Sequence, residues 1–285
     1  MSDTYKPQGG NAALLTFFFA LCAIGGLVAA GSSYFQLEML QMVAAGKELT
    51  QQQAVVNDLR QLGVALGQLV LFIVTSVVFC VWVFHSHVNA RILGAVEMKS
   101  SPGWAVGSFF VPIANLVAPY FAMVELWKAS EPSSQPVDAT ARAHMRLSPL
   151  LGAWWLTWLL GGGISSAARM MVNGAADPAS MMRATNVEIL SSVVWVMCCL
   201  FAAFVVRDIS WRQSRRHNAI EATGLMGGQA STPVRAQAQD KPRAAAKPQP
   251  APAGVSSDTP TLLRCAPSGP DPETLKPIIP LKKSA

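Results

Sequence analysis

The sequence predicts an all-α polytopic membrane bundle, on three observations. Four apolar segments are long enough to cross a bilayer core of roughly 30 Å, a further apolar segment is broken by prolines, and the chain turns polar, basic and proline-rich beyond Arg207. Charged residues make up 13% of the chain and hydrophobic residues 51%, with a mean hydropathy of +0.33. Soluble domains carry about a quarter charged residues. The deficit is larger still in the first 207 residues, because the polar tail raises the average.

The first apolar run, Ala12 to Ala30, trails on through Tyr34 and Phe35 and predicts a span over residues 12–34. Residues 1–11 precede it with a single basic residue, Lys6, and the run is too long for the h-region of a signal peptide, so it reads as a retained span. The second span is expected at 63–87, with its core from Leu69 to Phe84. The third is expected at 150–172 and carries Arg169 near its far end; the fourth is expected at 188–207. Together they define a membrane domain over residues 12–210, followed by a tail over 211–285.

Between the first two spans, Gly46 suits a left-handed helix C-cap. Thr50-Gln51-Gln52-Gln53 fits a capping box, in which the Thr hydroxyl and the Gln side chain satisfy open backbone donors. Val55, Val56, Leu59 and Leu62 then recur near helical spacing. The pattern predicts an antiparallel hairpin of two helices that project past the membrane, with a disordered loop as the alternative.

The segment 104–128 is hydrophobic enough to enter the membrane, yet Pro112, Asn115 and Pro119 interrupt it. Proline lacks an amide donor and clashes with the preceding turn, so a straight span is excluded. Broken backbone at membrane depth survives only where protein or trapped water satisfies the freed carbonyls. Two geometries remain: a re-entrant or interfacial pair of short helices, or a kinked fifth span.

Charge counting favours the first. If the segment returns to its own side, one face collects Lys6, Arg91, Lys99, Lys128, Arg142, Arg146 and the cluster Arg207, Arg212, Arg215 and Arg216. The other face holds only Lys47, Arg60, Arg169 and Arg183. That asymmetry places both termini on the cytoplasmic side. The basic cluster then reads as a flank facing anionic lipid. Trp82, Trp104, Trp127, Trp154, Trp155, Trp158 and Trp211 read as an aromatic belt at the same interface, with Trp195 mid-span.

Beyond His217, prolines and alanines interleave with lysines and arginines, as in Lys241-Pro242-Arg243. Such a stretch buries too little apolar surface to offset its ordering entropy, so a disordered tail is expected. A formal charge of +6 raises nucleic acid as a partner, but no recognition module accompanies it, and none is expected to bind. Cys22, Cys80, Cys198 and Cys199 lie inside apolar segments and Cys265 stands alone in the tail, so the five read as small buried residues rather than a disulfide or metal framework.

A stretch from Trp82 to Ser130 carries a specific pattern: Trp82, Asn89, Arg91, Ser101-Pro102-Gly103-Trp104-Ala105-Val106-Gly107, Phe110-Val111-Pro112-Ile113-Ala114-Asn115-Leu116, Pro119-Tyr120 and Glu125-Leu126-Trp127-Lys128-Ala129-Ser130. It resembles domain-of-unknown-function family 4328, a set of uncharacterised bacterial multi-span membrane proteins, with His85 and His87 as a departure. The resemblance implies a membrane domain over residues 12–210 and supplies no activity.

Polar groups at membrane depth are costly and need a partner or a purpose. A Glu125–Arg91 ion pair, with Asn89 and Asn115 capping freed backbone, is expected to hold the broken segment against the bundle. The competing reading has the same four residues line a small polar cavity. His85 and His87 sit two apart, about 200° around a helix, and cannot easily grip one ion; they read as snorkelling interfacial side chains, with a possible His85–Asn89 hydrogen bond. Gly161-Gly162-Gly163 lacks the Lys-Ser/Thr of a phosphate loop and, like Gly25-Gly26, reads as a close-packing site. No catalytic motif is present, and no metal or cofactor is expected. The functional expectation is a non-enzymatic membrane scaffold or regulator whose tail binds a cytoplasmic partner or lipid. The alternative is a small oligomeric transporter or channel built on the broken segment. Membrane lipids and a second copy of the chain are the other expected partners.

Overall fold

The computed structural model describes residues 4–95, 97–133, 140 and 144–230. Those residues are helical, with no strand among them. Two long helices come first, α1 (Gly9–Ala44) and α2 (Gln51–Ile92). The broken segment follows as α3 (Pro102–Gly107), a single 3₁₀ turn (Ala114–Leu116) and α4 (Ala118–Ala129). Two more long helices, α5 (Pro149–Asn173) and α6 (Pro178–Ala230), complete the bundle. Of these, α1, α2 and α6 are long and apolar enough to cross a membrane. The Trp- and Gly-rich α5 is not among them.

Local chemistry accounts for the ends of these helices. Gly46 sits at φ +78° and closes α1 with a Schellman pair, Lys47 N to Met42 O and Gly46 N to Val43 O. Gly94, at φ +81°, ends α2 in the same way. Thr50 opens α2 with the expected capping box: its hydroxyl accepts from Gln53 N while its own amide donates to the Gln53 side chain. At 36 and 42 residues, α1 and α2 run roughly 54 and 63 Å, well past a bilayer core of about 30 Å. They form the projecting antiparallel hairpin and not the disordered loop.

The packing order is α2, α1, α6, α5. Gly26 lets α1 and α6 approach: a Cβ there would stand 2.8 Å from Val196 and 3.2 Å from Trp195. Gly161 likewise faces Val194 across the α5–α6 contact. Aromatic side chains bridge α2 and α5, through Phe72–Trp158 and Phe79–Trp154 pairs with centroids 6.4 and 6.1 Å apart. Beneath them lies a cavity of about 200 Å³ lined by Cys22, Cys80, Cys198 and Cys199 as well as aromatic rings. All four cysteines are free, and all but Cys80 are buried.

Four of the tryptophans assigned to an interfacial belt are core residues instead. Trp82, Trp154 and Trp155 are buried under the broken segment, and Trp127, which belongs to that segment, is buried against Asp208 and Arg212 of α6. Trp158 packs beside Trp195, with ring centroids 6.2 Å apart. Only Trp104 and Trp211 of that group are substantially exposed. The tail expected from residue 211 begins as a continuation of α6, which runs to Ala230. The remaining tail, Cys265 and Arg142 lie outside the described residues.

Candidate functional site

The expected site residues gather at the end of the bundle where α2 stops and the broken segment begins. Pro112 lies in the turn between α3 and the 3₁₀ turn, and Pro119 occupies the second position of α4, where its missing amide costs nothing. The segment leaves this end and returns to it. Glu125, near the end of α4, accepts hydrogen bonds from the amides of Lys99 and Ser100 (2.9 Å), just before α3 starts. Its far turn is the most exposed part, with Phe110 73% and Ile113 85% accessible.

Arg91 and Glu125 do not form an ion pair; both bind the same residue. Arg91 Nη2 donates to the Ser100 carbonyl at 2.7 Å while Glu125 takes the Ser100 amide. The two charges hold one residue through its two adjacent peptide units, Glu125 on the amide side and Arg91 on the carbonyl side. A tight loop with Glu97 at φ +56° has no ladder of its own, so its polar groups need side-chain partners.

Asn89 does not cap the broken segment. Its amide Nδ2 donates to Lys6 O at 2.7 Å and its Oδ1 accepts from Lys6 N at 3.2 Å. This buried side chain copies the two-way pairing of a strand neighbour and clamps the N-terminal segment onto α2. The His85–Asn89 bond does not form, and His85 Nδ1 is buried without a hydrogen-bond partner. Tyr5 stacks on His217 of α6 with centroids 4.2 Å apart.

Asn115 also departs from its expected role: its Oδ1 is buried without a partner. The freed carbonyl of the break, Leu116 O, is taken by Trp155 Nε1 from α5 at 3.2 Å. Phe109 and Tyr120 pack on the same indole. His87 is fully buried and bonds Val83 O through Nδ1 at 2.9 Å, so it does not snorkel. None of Asn89, Arg91, Asn115 and Glu125 lines the cavity between the cysteines and aromatic rings.

Residues of α6 beyond Arg207 supply further ties, among them Arg212 and Arg216, which were expected to face lipid. Trp82 donates to Ser210 Oγ at 3.0 Å, and Gln213 Nε2 donates to Ser86 O at 2.8 Å. Arg216 donates from Nε to Leu93 O at 3.0 Å and from Nη1 to Glu131 O at 3.2 Å. Those carbonyls lie at the C-terminal ends of α2 and α4, where backbone acceptors have no intrahelical donor and the helix dipole is negative. One buried guanidinium therefore ties two helix ends to a third helix. Arg212 is also engaged, 3.8 Å over the Trp127 ring and 2.8 Å from Glu131. The signal for this lay in spacing: Ala202, Val206, Ile209, Gln213 and Arg216 keep one helical face buried as its residues turn polar.

At the opposite end, a second polar network joins α1, α2 and α6. Ser32 donates to Gln61, Gln61 to Gln36, and Gln36 to Thr185, while Arg60 reaches the Ser32 carbonyl at 3.1 Å.

The family model for a domain of unknown function, DUF4328, matches residues 45–211, from the turn after α1 to Trp211 in α6. No curated protein and no solved structure matches the chain.

Proposed function

The chain belongs to the family of the domain of unknown function DUF4328, and from that premise we propose a non-enzymatic scaffold or regulator of the bacterial inner membrane. In this reading α5 is the fourth crossing helix, the segment from α3 to α4 is re-entrant, and both termini are cytoplasmic. Supporting the re-entrant placement, Glu125 and Ser100 lie in hydrogen-bond contact at the two ends of the segment. The 12 residues of α4 reach only about 18 Å, too short to cross. The basic asymmetry of the loops supports the orientation.

The observation that carries the scaffold reading is how the polar groups are used. Asn89, Arg91, Glu125 and Arg216 spend their hydrogen bonds on the chain's own backbone. They make a rigid platform, and partner recognition falls to the basic segment beyond Ala230, which has cytoplasmic protein or anionic lipid as its target. Removing residues 231–285 tests this. The truncated bundle should stay in the membrane with unchanged thermal stability while loss-of-function matches a full deletion. Full function without those residues would refute the tail's role.

An oligomeric transporter or channel is the second reading, favoured by the orphaned Asn115 Oδ1. It requires Glu125→Gln to alter flux at normal expression. The scaffold reading expects that substitution only to loosen the segment.

A further inference from the structure

Beside the polar clamp, a pocket of about 520 Å³ lies between the end of α4, the start of α5 and α6. Two arginines line it, in opposite states. Arg212 is committed to Trp127, Glu131 and Asp208. Arg207 is exposed and has no ion pair or hydrogen bond among the described residues. Asp208 also lines the pocket, but its carboxylate already accepts from Trp127 Nε1 and from Arg212, which shields it from an incoming anion.

The surroundings of Arg207 suit one ligand class. Phe204 and Trp211 stand three residues before it and four after it on one face of α6, and both rings are more than half exposed. A free anion has no use for two large exposed rings, whereas an amphiphile does. The first turn of α5 also opens onto the pocket, and its N-cap Ser148 makes no side-chain capping bond. Pro149 has no amide and the Leu151 amide bonds Ser148 O, which leaves the Leu150 amide and the positive end of the helix to add to the field of Arg207.

We propose that this pocket is a phospholipid-headgroup site on the bundle itself. Arg207 holds the phosphodiester, the first turn of α5 supplies a further donor, and Phe204 and Trp211 flank the acyl chains where they leave the headgroup. The site is separate from the lipid-binding role assigned to the tail, and it rests on the membrane placement proposed above.

The test uses the full chain purified in detergent, titrated with phosphatidylglycerol and read by native mass spectrometry. Arg207→Gln should weaken lipid binding about tenfold, and Arg207→Lys should recover part of it. Arg183→Gln, at the opposite end of α6, should bind as the parent does, and Trp211→Ala should also lose affinity. Inorganic phosphate should not displace the lipid. Equal lipid binding by Arg207→Gln and Arg183→Gln would overturn the site, and displacement by inorganic phosphate would make it a soluble-anion site instead. Alkaline washing of membranes separates the two levels of failure. A chain released by the wash contradicts the membrane placement, whereas a retained chain with unaltered lipid binding in Arg207→Gln overturns only the pocket.

Discussion

Arg216 Nε donates to the Leu93 carbonyl at 3.0 Å, across 123 positions of sequence, from a side chain that is 1% exposed. The same guanidinium reaches Glu131 O, so its removal strands acceptors at two helix ends. Arg216→Ala should destabilise the bundle by about 2–4 kcal/mol, read as a lower melting temperature in detergent. Arg216→Lys should recover little, because an ammonium lacks the planar fork that meets two carbonyls at once. The neighbouring Arg215, exposed and 5.3 Å over Trp211, should tolerate alanine with a change of less than about 0.5 kcal/mol.

Asn89 and Lys6 form a closed two-bond pair, and its loss should free the N-terminal segment. Asn89→Leu should cost about 1–2 kcal/mol and expose residues before Gly9 to protease. Deleting residues 1–7 should cost more, because it also removes the Tyr5–His217 stack, and adding Asn89→Leu to the deletion should cost little further, since their shared interaction is already gone.

Two glycines at different places in the bundle should respond with opposite signs. A Cβ at Gly26 meets the stiff Val196 side chain at 2.8 Å, so Gly26→Ala should force α1 and α6 apart and cost about 1–3 kcal/mol. At Gly63 nothing lies within 4 Å, and Gly63→Ala should be neutral or stabilising by up to about 1 kcal/mol through helix propensity. Thermal unfolding of the two variants in the same detergent measures the contrast.

Asp177 caps α6: its Oδ1 accepts from Ser180 N at 2.9 Å, and the Ser180 hydroxyl accepts from Asp177 N. The hydrogen bond from the Ser180 amide holds its carboxyl below the usual 3.8. A depressed folded value means the cap stabilises fully above the unfolded pKa and loses its contribution as pH falls through the folded one. Asp177→Ala should therefore melt slightly below the parent at pH 7, and the gap should narrow below about pH 4. A gap independent of pH would show that the carboxylate's charge plays no part.

What could be read from sequence and what could not divide along a physical line. The Gly46 cap, the Thr50–Gln53 capping box and the break at Pro112 and Pro119 are local, set by one residue's backbone freedom or missing donor, and the structure has them as expected. The partners of Asn89, Leu116 O and Arg216 are distant: spacing marks a buried helical face, as it does for Arg216, but does not name the backbone 83 or 123 positions away that a side chain satisfies. A basic residue just past an apolar run looks the same whether it is exposed, as Arg207 is, or buried under another helix, as Arg216 is. Tryptophan misled for a related reason: an indole suits an interface and a core equally, and the broken segment decides which by covering Trp82, Trp154 and Trp155.

The central claim is that the segment from α3 to α4 enters and leaves at one face of a four-helix membrane bundle. Reporter fusions after Gly46, Ser101, Ser133 and Gly174 test it most directly. The account predicts that Ser101 and Ser133 report the cytoplasm while Gly46 and Gly174 report the opposite side. Ser101 and Ser133 on opposite faces would make the segment a fifth span and contradict the account.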